Sequence, residues 1–302
     1  MVGDVVRRGG PGVRVSDLPD RIARAVRLAR EPWHDAGMST TSRTIERDGA
    51  RIAYDVAGQG PAVVLGHSLL CGRWMWRDIA PALATSHTVI NIEVRGHGES
   101  TAPRPFSFAD LVADWAAILD REGIDRAALV GLSMGGMTAM RFALAFPDRV
   151  AKLALLDSNA DRERLAKRAQ YGVLVWLYRR LGMRRPLADR VAPIMLGATT
   201  LRERPELVRD LIDQVARHDR EPLIRAIRCV VDRADEPPIE RIGAPALILV
   251  GEEDRATPPA LSEKMHRRMP GSKLVRIPGA GHLSAFERPD AVLAHLAPFL
   301  AA

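Results

Sequence analysis

Ala127-Ala128-Leu129-Val130-Gly131-Leu132-Ser133-Met134-Gly135-Gly136-Met137 is the stretch that decides the fold. It opens as a short continuous apolar run of strand length. It ends by entering residues 135–145, which have helical spacing. Ser133 stands at the joint, with a glycine two positions to either side. A strand that turns directly into a helix does so sharply, and side chains at 131 and 135 would collide with neighbouring backbone. The turn lifts Ser133 above the sheet. The next residue opens a helix, so the Met134 N–H lacks an intrahelical partner and can face an oxyanion. The competing reading is a glycine-rich turn that only permits close packing.

The same alternation extends outward. Residues 44–46 and 52–56 flank Asp48-Gly49, a strong hairpin signal. Strands are expected at 62–65, 88–94 and 151–156, and helices at 73–84 and 107–120, the latter with Ser107 as N-cap. After a break, strands return at 246–250 and 273–277, with helices at 259–268 and 289–300. Buried strands alternating with helices imply a mostly parallel central sheet flanked by helices, an α/β class. The break, residues 159–237, is helical in pattern and closes at Pro237-Pro238. It reads as a helical lid between two parts of one core, 43–158 and 238–302. Residues 1–42 read as an N-terminal extension, with a short helix from Ser16 to about Arg30. Within it, residues 1–37 read as a regulatory arm, a disordered segment or the product of an upstream start.

Four motifs then resemble the α/β-hydrolase family over about residues 43–302. Gly66-His67-Ser68-Leu69 follows the third strand. Glu93-Val94-Arg95-Gly96-His97-Gly98-Glu99-Ser100 follows the fourth. The Ser133 turn is the third motif. The fourth is split between Gly251-Glu252-Glu253-Asp254-Arg255-Ala256-Thr257-Pro258 and Gly279-Ala280-Gly281-His282. The resemblance implies an α/β-hydrolase fold and a triad in the order Ser133, Asp254, His282. Ser133 would be the nucleophile, His282 its base and then the acid, and Asp254 the group that orients His282. Asp157, at the end of the strand before the lid, competes with Asp254. The N–H groups of Leu69 and Met134 would form the oxyanion hole. Ser68 stands where the family usually has glycine. His67, Arg95 and His97 read as braces, Cys71 as packing, and Trp74 and Trp76 as core or pocket wall.

The motif strings look most like 3-oxoadipate enol-lactonases and similar esterases, so ester or lactone cleavage is expected. Perhydrolysis, carbon–carbon bond hydrolysis and a non-catalytic binding protein are the alternatives. No histidine spacing suits a metal and no dinucleotide motif follows the first strands, so cofactor-free chemistry is expected.

The 302 residues are 47% hydrophobic, enough for a substantial core. No apolar run reaches the roughly 20 residues that span a bilayer. Two cysteines and no visible secretory signal suggest a cytoplasmic location. Residues 161–190 carry nine Lys or Arg against three Asp or Glu, nearly the whole net charge of +7. No nucleic-acid motif accompanies that charge, so no nucleic-acid partner is expected. A lid Arg meeting a substrate carboxylate is one expectation, and a solvated face is another. The stretch 171–181, with Trp176 beside Arg179 and Arg180, offers an interfacial membrane helix, a dimer surface or the lid's inner side.

Overall fold

A computed structural model describes residues 40–163, 165–182 and 185–302. The helix expected between Ser16 and Arg30 lies outside them. Among the described residues eight strands form one sheet: β1 (Thr40–Arg47), β2 (Ala50–Ala57), β3 (Ala62–Gly66), β4 (Thr88–Ile92), β5 (Ala127–Leu132), β6 (Val150–Leu156), β7 (Ala246–Gly251) and β8 (Lys273–Ile277). Their order is β1-β2-β4-β3-β5-β6-β7-β8. The β1–β2 and β2–β4 pairs are antiparallel, and all others are parallel.

β1 begins earlier than the sequence suggests, because Thr40, Thr41 and Ser42 pair with Ala57, Val56 and Asp55. Positions 40–42 therefore belong to the sheet rather than to the extension. Their polar character suits an edge strand with solvent on one side. At the hairpin, Asp48 and Gly49 have φ of 51° and 72°, as a tight turn matching the strand twist requires.

Successive side chains of a strand point to opposite faces, so a strand covered on both sides must be apolar throughout. All six residues of β5 and of β7 are buried. Val64 and Leu129 enter one core, whereas Val63, Leu65 and Val130 enter the other. The first core is closed by α2 (Phe108–Arg121) and α3 (Met134–Ala145), through Trp115 and Phe142. The second is closed by α1 (Ala80–Ala84) and by α11 (Pro289–Ala301), through Val292, Leu293 and Leu296. At the start of α2 the Asp110 carboxylate accepts the Ser107 N–H at 2.8 Å and its hydroxyl at 2.9 Å, while the Ser107 side chain accepts the Asp110 N–H, a reciprocal cap.

Residues 73–84, expected as one helix, divide into a 3-10 turn (Arg73–Trp76) and α1. Pro81 is the cause. It cannot donate to the preceding turn but fits the first turn of a new helix. Among the described residues five helices lie between β6 and β7: α4 (Leu165–Leu181), α5 (Arg185–Met195), α6 (Ala198–Glu203), α7 (Pro205–Ala216) and α8 (Arg220–Val231). After β7 comes α9 (Pro259–Arg268), and α10 (Ser284–Glu287) precedes α11. Among the described residues no helix is long and apolar enough to cross a membrane.

Candidate active site

The turn from β5 into α3 holds Ser133 at φ 53° and ψ −111°, a conformation a side-chain-bearing residue rarely adopts. Such strain costs about 1–3 kcal/mol and persists only where the surroundings enforce it. Here the Ser133 N–H donates to the Leu156 carbonyl at 2.9 Å, and the Gly135 N–H to the His67 carbonyl at 3.1 Å. A Cβ on Gly131 would strike the backbone of Gly135, and one on Gly135 would strike the Gly66 carbonyl. Neither obstacle is a flexible side chain. Gly135→Ala is therefore expected to cost about 3 kcal/mol, seen as a lower urea midpoint. An unchanged midpoint would show that β3 and α3 can part freely.

Ser133 Oγ lies 2.8 Å from His282 Nε2. His282 Nδ1 lies 3.0 and 3.2 Å from the two Asp254 carboxylate oxygens. An ionised carboxylate only accepts, so Nδ1 carries the proton and Nε2 presents its lone pair to the serine. Burial pushes the His282 imidazole down. The Asp254 carboxylate outweighs it, with lesser help from Asp157 and Glu287, so the net shift is upward from 6.5. Asp254 is itself held by the N–H groups of Ala256 at 2.8 Å and Thr257 at 2.9 Å, and by the Thr257 hydroxyl at 2.7 Å.

Asp157 makes no hydrogen bond to His282 among the described residues. Its oxygens accept the N–H groups of Gly251 at 2.8 Å and Ser284 at 3.0 Å, tying the loops of Asp254 and His282 together. Burial first, and the neighbouring Asp254 charge second, push the Asp157 carboxyl well up. Glu287 serves the same loop, accepting the N–H groups of Gly281 at 2.8 Å and Leu283 at 3.3 Å, either side of His282. It also accepts the Gly197 N–H at the head of α6 at 2.8 Å. Residue type and spacing alone do not point to Thr257 or Glu287. The former sits in a quoted motif, but only its position against Asp254 reveals the contact.

Neither the Leu69 N–H nor the Met134 N–H has a partner among the described residues. The loop of Leu69 is braced from below. His67 Nε2 accepts the Val94 N–H at 2.9 Å, and His97 Nε2 accepts the Leu70 N–H at 3.3 Å. The His67 and His97 rings meet edge to face at 4.9 Å, and His218 from the end of α7 meets His97 at 5.3 Å. Burial holds His67 down at about 4 and His97 well below its ordinary value, so both act as neutral hydrogen-bond partners. Ser68, in the usual glycine position, does not need a left-handed backbone; Leu70 takes that conformation instead, at φ 67°. Arg95 is a buried brace, forked onto Asp114 at 2.5 and 2.7 Å. Cys71 is buried, its thiol pushed far up by desolvation.

Ser133 and His282 open on a cavity of about 130 Å³ beneath the inserted helices. Its wall is mainly apolar, with Met137, Val175, Leu187, Val191, Ile194 and Ile227. Trp74 and Trp76 do not line it; Trp76 is core and Trp74 packs on Phe286. The expected cationic contact is also missing, because no Lys or Arg lines the cavity among the described residues. Arg179 pairs outward with Glu221 and Arg168 with Asp232. Arg164 and Arg184 lie outside the described residues. Helix α4 is split accordingly: Tyr171, Val175 and Tyr178 face the cavity, while Val173 and Trp176 are exposed.

A parallel sheet with a serine at the tip of its central strand, and an acid–histidine pair from later loops, defines a hydrolase class of site. The family model for the alpha/beta hydrolase fold matches residues 61–289, and the chain belongs to that family. It is similar to 3-oxoadipate enol-lactonase 2 of Acinetobacter baylyi, 26% identical over 82% of this chain and 92% of that one. It is also similar to the crystal structure of the enol-lactonase from Burkholderia xenovorans, with 27% identity, TM-score 0.79, and 86% and 100% of the two chains covered. A thermophilic esterase from Thermogutta terrifontis gives 28% identity and TM-score 0.80, over 87% of this chain and 98% of that one. The protein is thus a hydrolase with esterase- and lactonase-like relatives.

Proposed function

We propose that the protein cleaves a carboxylic ester or lactone through an acyl-enzyme on Ser133. The observation that carries this is the unbroken chain Ser133 Oγ, His282 Nε2, His282 Nδ1 and Asp254. Ser133 Oγ attacks the carbonyl carbon as His282 Nε2 takes its proton. Negative charge builds on the carbonyl oxygen, where the unpartnered N–H groups of Leu69 and Met134 receive it. His282 then protonates the departing alkoxide. In a lactone the new hydroxyl stays tethered to the acyl group. Water, deprotonated by the same nitrogen, releases the acid and restores Ser133.

The segment between β6 and β7 acts as the lid, since its described side chains, among them Val175, Leu187, Val191 and Ile227, line the cavity that holds Ser133. The small apolar cavity suits a short acyl group. A panel of p-nitrophenyl esters and lactones tests this reading. Wild type is expected to hydrolyse members that Ser133→Ala leaves at the buffer rate. Equal rates for the two proteins would refute the reading.

A further inference from the structure

The basic insert suggested a pocket for an acid, yet the one charged lid residue on the cavity wall is an acid itself, among the described residues. Glu163 stands there beside Asn159 and Tyr171, its side chain 14% exposed. Its ion-pair partner is Arg233, at 3.5 Å. Arg233 lies behind the wall, 3% exposed, and does not line the cavity. Its guanidinium is largely engaged elsewhere. It donates to the carbonyls of Asp161 at 2.9 Å and Val230 at 2.5 Å, and to Asn159 Oδ1 at 3.3 Å.

A carboxylate offers about four acceptor positions. Arg233 occupies one of them, at the long limit, and no other described hydrogen bond reaches Glu163. Acceptor capacity that the described residues leave unfilled on a mainly apolar cavity wall is costly, and a donor brought by a ligand recovers that cost. A second carboxylate in the same cavity meets the opposite: like charges repel strongly where the dielectric is low.

We propose that Glu163 is a specificity-determining residue, receiving a hydroxyl or amide N–H on the substrate's acyl chain and turning away a chain that ends in a carboxylate. This rests on the hydrolase reading above. It replaces the acidic substrate suggested by the insert's net charge with a neutral, donor-bearing one.

The p-nitrophenyl esters of hexanoate, ω-hydroxyhexanoate and adipate (as monoester) test it, read as ratios of kcat/KM. Wild type is expected to favour the hydroxy ester over hexanoate by about tenfold and to disfavour the adipate monoester by at least that factor. In Glu163→Gln both ratios move toward one, the adipate ratio most. The wild-type ranking needs no variant, so it decides the matter even if Glu163→Gln fails to fold. A flat wild-type ranking overturns the proposal, as does a variant that scales all three substrates equally. Labelling of Ser133 by a fluorophosphonate, run alongside, separates the two claims. Labelled protein with a flat ranking, or with none of the three hydrolysed, removes only the role of Glu163. Unlabelled protein that hydrolyses nothing removes the hydrolase reading and this proposal with it.

Discussion

His282→Ala is expected to lower kcat on an accepted ester by on the order of 10⁵-fold, and Ser133→Ala by a similar factor. The double variant should be no slower than either single one. The reason is that the two groups act as one device. The serine hydroxyl is a poor nucleophile until a base removes its proton, and a base with no hydroxyl before it has nothing to activate. The 2.8 Å contact between Oγ and Nε2 is the structural basis. A loss of 10⁵ is about 7 kcal/mol of barrier. Rates for single esters and for the double variant, each corrected for buffer hydrolysis, give the comparison. Multiplying penalties would mean that Ser133 and His282 act separately, which the geometry does not allow.

The second large effect separates the two aspartates. Asp254→Asn should cost about 10⁴-fold in kcat, since an amide facing Nδ1 no longer enforces the productive tautomer. It should also move the acid limb of the kcat/KM profile. His282 must be neutral to act as base, so activity rises with pH through its pKa. In the wild type that pKa lies above 6.5 because the Asp254 charge outweighs burial. With the charge gone burial prevails, the pKa falls, and the limb shifts to lower pH beneath a lower ceiling. Asp157→Asn should leave the ceiling within about tenfold and instead cost about 2 kcal/mol of stability, because it disturbs the acceptors of the Gly251 and Ser284 N–H groups. The reverse outcome, with Asp157→Asn showing the kinetic loss and the limb shift, would make Asp157 the orienting acid.

Much of the fold was legible because the chain states it locally. A strand followed at once by a helix, with glycine at 131 and 135, leaves few other arrangements. Alternation of apolar runs and helical spacing supplied the rest of the parallel sheet. The single helix expected over 73–84 misled because spacing ignores the backbone cost of Pro81. The first strand was placed late because Thr40, Thr41 and Ser42 carry no apolar signal; their pairing with residues 55–57 is what makes them strand.

The site was legible to a different depth. Residue types and order brought forward Ser133, Asp254 and His282, and the structure places them within hydrogen-bonding reach of one another. Chain order favours Asp254 over Asp157, and the contacts separate them: Asp254 meets His282 Nδ1, whereas Asp157 accepts the N–H groups of Gly251 and Ser284. The supports that hold His282 were invisible. Glu287 acts through backbone N–H groups, which leave no mark on residue types. The basic insert shows the limit most clearly. Net charge says how many arginines there are, but Arg168 and Arg179 spend theirs on Asp232 and Glu221 at the surface, and Glu163 is left at the wall.

The claim that everything else depends on is that Ser133 is an activated nucleophile. Incubation with a fluorophosphonate, followed by intact mass and peptide mapping, tests it most directly. The account predicts one adduct per chain, located on Ser133, and none on Ser133→Ala. A wild type that stays unmodified, or an adduct that persists in Ser133→Ala, would contradict it.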